Sequence, residues 1–199
     1  PKMIALLQSD KMVKHLHLSL QSGSNTILKE MNRPYTREAY IKLIETIKKD
    51  IPLINVTTDI IVGFPGESEK DFSDTLNIVE RVFFSHVHTF RFSPRPGTKA
   101  FDFSNNITEK VKRERSESII TLYNKQKIEY YKLFNNKEST FLSERFRNGV
   151  TGGFNEYYIP IKVYKKLKRN EFFNITTVLD EDEMVLVDQN YSSQKGVAT

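Results

Sequence analysis

Cysteine is absent from this chain of 199 residues. Without it, the chain can form no disulfide, no thiolate zinc site and no iron–sulfur cluster held by its own residues. Disulfides belong mainly to oxidising compartments, so their exclusion is compatible with the cytoplasmic location that we expect.

Long hydrophobic runs are also absent. No apolar run approaches the ~20 residues that a membrane span requires, and the first residues lack the pattern of a signal peptide. We therefore expect no membrane partner. The chain starts at Pro1 and its first helix-like stretch, Met3 to Gln8, is short, so we expect a piece of a longer protein.

The composition indicates a soluble protein with a core. Hydrophobic residues make up 38% of the chain and charged residues 28%, with a mean hydropathy of −0.48. The length allows one large domain or two small ones. The net charge is +5, which favours an acidic partner such as nucleic acid, although an ordinary, slightly basic soluble protein has the same charge.

One pattern occurs three times: an extended apolar run ends in a short cluster of Gly, Ser or Pro. The runs cover residues 15–20, 56–62 and 87–92, and the clusters are QSGS, GFPGE and SPRPGT. A helical pattern follows the first two clusters almost at once. Such alternation predicts a parallel sheet or barrel, in which ligands bind at the carboxyl ends of the strands.

Residues 1–136 are predicted to form this α/β part. The predicted strands span 12–21, 54–62 and 86–92. The predicted helices are Asn25 to Met31 with a cap at Ser24 or Asn25, Thr36 to about Lys49, a helix starting at Ser68 with a capping box to Asp71, and Thr108 to about Phe134. The buried stripe expected on the third helix is Phe72, Leu76, Val79 and Phe83.

The sequence after residue 136 shows no helical period. Strands are predicted over 138–147, 156–164, 171–179 and 183–188, with turns at Asn148-Gly149 and Gly152-Gly153. We place a domain boundary near 136. Residues 137–190 then form a small β-barrel or sandwich, and about 191–199 form a flexible tail.

The cluster QSGS places an amide and a hydroxyl, Gln21 and Ser22, at a strand end. These groups can hydrogen-bond a ribose or a carboxylate, and the glycine lets a ligand approach the backbone. The alternative is an ordinary strand-to-helix turn with a serine cap.

The cluster GFPGE places Gly63 and Phe64 directly after a β-branched strand. Its backbone can support a flat ring such as adenine, but it lacks the lysine and the spacing of a phosphate-binding loop. The alternative is a loop shaped only for the fold. Asp59 lies inside the preceding apolar strand, where an unpartnered carboxylate is costly, so we expect an interior and partnered Asp59.

The cluster SPRPGT holds Arg95 between two prolines, after Phe92 and Ser93. A guanidinium in a rigid loop suits the capture of a carboxylate or a phosphate. The alternative is an arginine that pairs with a neighbouring carboxylate.

The four histidines form two pairs, His15 with His17 and His86 with His88. Alternate residues share one face of a strand, so each pair could chelate a metal, as in hydrolytic barrels. The carboxylates of such sites are not obvious in the sequence. We therefore interpret these histidines as interior or surface residues and expect no metal ligands.

A basic cluster lies in the β-rich part, with tyrosines and phenylalanines among and beside its members. The cluster consists of Lys162, Lys165, Lys166, Lys168 and Arg169, and the aromatic residues are Tyr157, Tyr158, Tyr164, Phe172 and Phe173. On a small barrel, this combination suits RNA, through phosphate contacts and base stacking. The alternative is a solvated hairpin above core aromatics.

The segments HLHLSLQSGS, ILKEMNRPYTREAY, TTDIIVGFPGESEKDF and FRFSPRPGTKA, in this order and spacing, resemble the radical S-adenosylmethionine methylthiotransferases that modify tRNA. The resemblance covers roughly residues 12–136. It implies an α/β fold, the C-terminal half of a (β/α) radical-SAM partial TIM barrel. The remainder is similar to the small, OB-like RNA-binding barrel, the TRAM domain, that ends these enzymes. The stretches FSHVHTFRFSPRPGT and GFNEYYIPIKV resemble the branch acting on threonylcarbamoyladenosine more than the isopentenyladenosine branch.

The resemblance implies a radical C–H thiolation in the whole enzyme. S-adenosylmethionine gives a 5′-deoxyadenosyl radical that takes hydrogen from a modified adenosine beside the anticodon. Sulfur then comes from an auxiliary cluster and the methyl group from a second S-adenosylmethionine. The family carries two [4Fe–4S] clusters, whose cysteines are missing here. We therefore expect a missing N-terminal half, a monomeric parent enzyme and no catalysis by this piece alone.

The resemblance also implies roles for residues at the three strand ends. Gln21 and Ser22 would contact the ribose or methionyl part of S-adenosylmethionine, and Asp59, Gly63 and Phe64 would line its adenosine. Phe92 and Ser93 would lie near the adenine edge, with Arg95 on a carboxylate or the substrate. The partner would be the anticodon stem-loop of a tRNA, bound by the basic cluster.

Two alternatives remain. One is a non-catalytic RNA-binding module with a degenerate barrel, which predicts tRNA binding that survives loss of residues 1–136. The other is a metal-dependent barrel hydrolase that uses the histidine pairs, which predicts stoichiometric metal.

Overall fold

The protein was analysed as a computed structural model, which describes residues 2–9, 11–104, 106–181 and 185–188. In chain order, its elements are α1 (Lys2–Leu7), β1 (His15–His17), α2 (Asn25–Glu30), α3 (Arg37–Asp50), β2 (Asn55–Val62), α4 (Glu69–Val82), β3 (His86–Arg91), α5 (Glu109–Lys132), β4 (Lys137–Arg147), β5 (Val150–Asn155), β6 (Pro160–Val163), β7 (Phe172–Asp180) and β8 (Val185–Asp188). The predicted α/β part followed by strands is confirmed. Within these ranges, no helix has the length and apolar character of a membrane span.

The chain divides into two compact units. The α/β unit comprises residues 16–52 and 56–126, and the β unit comprises the described parts of 1–15, 53–55 and 127–199. The predicted boundary near residue 136 stays a prediction, and the predicted tail, 191–199, lies outside the described residues.

A three-stranded sheet in the order β1-β2-β3 forms the centre of the α/β unit. β2 and β3 are parallel, and their register runs from Thr57 opposite His86 to Val62 opposite Arg91. Thr58, Ile60 and Val62, which lie on one face of β2, are fully buried. Gln21, after β1, forms a parallel bridge to Ile60 of β2, so the segments that follow all three strands lie at the same edge, as the strand–loop pattern predicts.

Local sequence signals determine where the helices of this unit begin. Ser24 caps α2, Thr36 caps α3, and Ser68 caps α4 in a complete capping box with Asp71. Each side chain accepts a hydrogen bond from a backbone N–H of the first helical turn, which has no partner within the helix. These three predicted starts are confirmed.

Two predictions in this unit are wrong in detail. The predicted strand 12–21 is regular only over β1. At its predicted end, Gln21 has a φ of +68°, which is not strand geometry, and forms a single bridge to Ile60. Phe83 is not part of the buried stripe of α4. It ends the helix in the left-handed conformation and is exposed, and the buried stripe instead includes Ile78 and Val82.

The β unit contains a closed barrel with the strand order β4-β5-β6-β8-β7. The pairing is antiparallel except between β6 and β8, which are parallel. The core contains residues of α5 and of the strands: Tyr130, Tyr131, Phe134, Phe141, Ile159, Ile161, Val163 and Leu186. The predicted small all-β barrel is thus present as five strands.

The predicted turn at Asn148-Gly149 is confirmed. Both residues have positive φ, 50° and 81°, which suits a two-residue hairpin loop. The predicted turn at Gly152-Gly153 is wrong, because both glycines lie within β5. The predicted strand 156–164 is confirmed only over β6, since residues 156–159 connect β5 to β6. Gly153 is required by packing: a Cβ there would lie 1.9 Å from the carbonyl oxygen of Leu142.

Candidate functional site

A cavity of about 690 Å³ lies at the carboxyl ends of the strands of the α/β unit. Six of the predicted cofactor-binding residues line it: Gln21, Asp59, Phe64, Phe92, Ser93 and Arg95. The other two, Ser22 and Gly63, are not among its lining residues. The remaining lining residues come from the end of α2 and from the strands and loops around the cavity: Glu30, Met31, Asn32, Arg33, Ile61, Phe90, Arg91, Thr98, Lys99 and Ala100.

The QSGS turn is held by backbone and side-chain hydrogen bonds. The N–H of Gln21 donates to the Asp59 carbonyl at 2.8 Å, and its own carbonyl accepts from Ile61 at 2.9 Å. Ser22 is fully buried, and its hydroxyl accepts from the N–H of Ser24. A Cβ on Gly23 would lie 2.4 Å from the Cα of Thr75, so this turn packs directly on α4.

An aromatic pair forms one wall of the cavity. Phe64 and Phe92 meet edge to face, with ring centroids 5.1 Å apart, and Phe103 meets Phe64 at 6.2 Å in the same manner. Phe64 is almost fully buried, whereas Phe92 is half-buried. Such a wall can accept a flat heterocyclic ring without requiring a particular hydrogen-bond pattern.

A buried ion pair fixes the GFPGE loop. Glu67 Oε2 accepts from the N–H of Gly63 at 2.7 Å and from Arg115 Nη1, also at 2.7 Å. The side chains of Glu67 and Arg115 are 0% and 6% exposed. Burial raises the pKa of the Glu67 carboxyl, while the Gly63 N–H and the guanidinium of Arg115 oppose this rise.

Lys112 joins this loop to the end of β3. Its ammonium group donates to the Phe92 carbonyl at 3.1 Å and to Glu109 at 2.7 Å, and its side chain is 4% exposed. Its methylene carbons lie against Gly63, where a Cβ would come within 2.3 Å of the lysine Cγ. A glycine is therefore required at position 63 by its φ of +72° and by its contact with Lys112 of α5. Gly63 does not line the cavity.

Sequence reasoning missed Lys112 and Arg115, which lie in the strongly charged first half of α5. A signal was present, because both are in helical phase with the fully buried Ile119, at intervals of three and four residues. The exposed charges Lys110 and Arg113 lie out of that phase.

Asp59 is partnered, as predicted. Its Oδ2 accepts from the Ser19 hydroxyl at 2.7 Å and lies 3.0 Å from His17 Nε2. Partial burial acts to raise the pKa of this carboxyl, but the hydrogen bonds from Ser19 and His17 outweigh it and hold the pKa below its usual value. Asp59 is therefore a carboxylate at neutral pH.

The predicted basic cluster lies on β6 and the segment after it. Lys165, Lys166, Lys168 and Arg169 are exposed, and Lys162 is half-buried in β6. Lys166 lies over the ring of Phe146 at 6.0 Å, and Lys168 forms an ion pair with Glu171.

The aromatic residues near the cluster divide into two groups. Tyr157 and Phe173 pack on the barrel core, whereas Phe172 and Tyr158 are 72% and 45% exposed. Phe146, which the sequence reading did not include, is also exposed. The surface thus combines positive charge with accessible rings.

Comparison with known proteins gives a consistent result. Residues 1–79 match the model of the Radical SAM superfamily. A tRNA-2-methylthio-N(6)-dimethylallyladenosine synthase of Thermoanaerobacter sp. (strain X514) is 50% identical over 125 residues, which are 63% of this chain and 26% of the relative.

Two further relatives extend the match along the chain. The synthase of the same name from Alkaliphilus oremlandii is 46% identical over 140 residues, 70% of this chain and 30% of the relative. A threonylcarbamoyladenosine tRNA methylthiotransferase of Thermotoga maritima is 41% identical over 156 residues, 78% of this chain and 36% of the relative. The chain spans roughly a quarter to a third of the length of these curated relatives. Over the matched residues, the chain is thus similar to proteins of the Radical SAM superfamily and to tRNA methylthiotransferases.

Proposed function

We propose that this chain is the S-adenosylmethionine- and tRNA-binding part of a methylthiotransferase that modifies an adenosine beside the anticodon. The observation that carries the proposal is the strand-end cavity, in which six residues from three separate motifs meet. In this proposal, residues 1–136 are the second half of the radical-SAM barrel and 137–190 are a TRAM domain.

The cavity suits S-adenosylmethionine in shape and charge. The wall of Phe64 and Phe92 offers a stacking surface for adenine, and the carboxylate of Asp59 supplies negative charge for a sulfonium. Arg95 is exposed at the rim, where its guanidinium can bind a carboxylate. Gln21 and Ser93 add polar groups for the ribose or the adenine edge.

Ser22 and Gly63 act indirectly in this proposal. The hydroxyl of Ser22 is used within the turn, and Gly63 lies against Lys112. Both would shape the loops that contact the cofactor. Since the chain has no cysteine, its residues do not fit an iron–sulfur cluster, and the two [4Fe–4S] clusters would be held by another part of the protein.

For the substrate, we propose threonylcarbamoyladenosine. The relative named for that nucleoside matches over 156 residues, more than the 125 or 140 of the two others described. The second candidate is dimethylallyladenosine, favoured by the higher identity of those relatives. Expression of the whole gene in a host lacking both activities, followed by nucleoside mass spectrometry of its tRNA, distinguishes them by the methylthiolated product.

The tRNA-binding part of the proposal can be tested on the chain itself. Fluorescence anisotropy with an anticodon stem-loop should show binding that weakens with salt, because phosphate contacts release counterions. Replacing Lys165 and Lys166 by Glu should weaken binding at least about tenfold, whereas Lys110→Glu on α5 should have little effect. Equal effects of both changes would overturn the assignment of the basic cluster.

The cofactor part can be tested by calorimetric titration with S-adenosylmethionine. Arg95→Ala should weaken binding about tenfold or more, since charged hydrogen bonds contribute about 1.5–3 kcal/mol. Arg113→Ala is the control, because that side chain is exposed and pairs only loosely with Glu117, at 3.8 Å. Unchanged affinity in Arg95→Ala would remove Arg95 from the cofactor site.

A further inference from the structure

A second group of chemically active side chains crosses all three strands of the sheet. Asp59 on β2 is the register partner of His88 on β3, and His17 on β1 lies on the other side of Asp59, at 3.0 Å. One ligand atom from each of these three residues falls within 4.8 Å of the others. The group thus contains one histidine of each sequence pair, His17 and His88, together with the carboxylate of Asp59.

The surroundings of these side chains resemble the outer shell of a metal site. Thr57 Oγ1 lies 3.0 Å from Nδ1 of His17, which leaves Nε2 as the nitrogen directed at Asp59. The Ser19 hydroxyl donates to the carboxylate of Asp59 at 2.7 Å. Hydrogen bonds of this kind fix the orientation of metal-ligating imidazoles and carboxylates.

Exposure also suits a cation. The side chain of Asp59 is 25% exposed, and that of His17 is 39% exposed. An ion can therefore reach the group without opening the core. Two imidazole nitrogens and one carboxylate oxygen are ligands typical of zinc and of iron(II), cobalt or nickel, rather than of magnesium or calcium.

We propose that His17, Asp59 and His88 bind one divalent transition-metal ion on the open face of the sheet. The three side chains supply three ligands and leave at least one coordination position for water or another small ligand. The within-strand pairs, His15 with His17 and His86 with His88, do not form this site. The site shares Asp59 with the proposed cofactor cavity. Because the metal titration below uses neither S-adenosylmethionine nor tRNA, its failure is distinguishable from a failure of the proposed function.

The test is a metal titration of the 199-residue chain, made without a polyhistidine tag and treated with a chelator beforehand. Calorimetry with Zn²⁺ should show one equivalent bound, and Co²⁺ should give visible absorption bands that Zn²⁺ displaces. A wild-type chain that binds no stoichiometric metal overturns the proposal and leaves only a hydrogen bond between His17 and Asp59.

Matched variants locate the ligands. Asp59→Asn and His88→Gln should each weaken Zn²⁺ binding by at least about tenfold. His86→Gln is the control, because His86 lies on the same strand with its ring centroid 4.4 Å from that of His88 but outside the ligand set. Circular dichroism shows whether each variant is folded, and the Co²⁺ spectrum reports ligation directly. Equal loss in His86→Gln would indicate a within-strand pair and overturn the assignment.

Discussion

Arg115 of α5 and Glu67 of the GFPGE loop form a buried ion pair at 2.7 Å. The same Nη1 also donates to the Glu67 carbonyl, at 3.1 Å, and Nη2 donates to Glu69 at 2.5 Å. The guanidinium thus holds the loop and the start of α4 together.

Removal of this guanidinium should be costly. Arg115→Ala leaves the Glu67 carboxylate buried and without its cation, so we expect the free energy of unfolding to fall by about 3–5 kcal/mol. Urea denaturation followed by circular dichroism measures this change. Arg113→Ala, on the exposed face of the same helix, should change stability by less than about 0.5 kcal/mol. Similar values for both variants would contradict the buried pair.

Gly153 and Gly152 should respond differently to the same substitution. Gly153→Ala places a methyl group 1.9 Å from the Leu142 carbonyl oxygen and 2.8 Å from the ring of Phe141. We expect this overpacking to lower the free energy of unfolding by about 1–3 kcal/mol. Gly152→Ala meets only the Arg145 carbonyl, at 4.0 Å, and should be tolerated. Thermal unfolding of the two variants tests the placement of both glycines inside β5.

Lys48 should stabilise the C-terminus of α4. Its ammonium group donates to the carbonyls of Val82 at 2.6 Å and Phe83 at 3.3 Å, which lie at a helix end that favours positive charge. We expect Lys48→Met to lower the free energy of unfolding by about 1 kcal/mol. The neighbouring Lys49→Met, at an exposed position, serves as the control. If Lys49→Met lowers the free energy of unfolding more than Lys48→Met does, Lys48 does not stabilise this helix end.

Asp59 should contribute to the acid sensitivity of the chain. Its pKa is lowered in the folded state, so the unfolded state binds the proton more tightly and the contribution of Asp59 is present above its unfolded pKa of about 4. This contribution is lost as the pH falls through the folded pKa. The urea midpoint of the wild type should therefore fall more steeply between about pH 5 and pH 3 than that of Asp59→Asn. Parallel curves would mean that Asp59 is not stabilised in the fold.

Features decided by neighbouring residues could be predicted from the sequence. The caps at Ser24, Thr36 and Ser68 need only a hydroxyl and the next turn of backbone, and the hairpin at Asn148-Gly149 needs only two residues that tolerate positive φ. The strand-end position of the candidate site followed from the order of strands and helices.

Features decided by distant contacts could not be predicted in the same way. Gly153 resembles a turn residue in the sequence, but its role depends on Phe141 and Leu142 in the neighbouring strand. The helical phase of Arg115 and Lys112 with Ile119 could indicate their burial, but not their partners Glu67 and Phe92, which lie far away along the chain. The cluster of His17, Asp59 and His88 depends on the register of three strands, which the sequence does not state.

Two residues of α5 contact two different loops of the cavity, the one after β3 and the GFPGE loop. Lys112 and Arg115 are three residues apart, a rise of about 4.5 Å along the helix axis, and they hold the carbonyl of Phe92 and the carboxylate of Glu67 respectively. The two loops therefore cannot widen independently, although none of the described residues of α5 lines the cavity. Exchanges of wall residues would alter what the cavity accepts, whereas exchanges on this face of α5 would alter its dimensions.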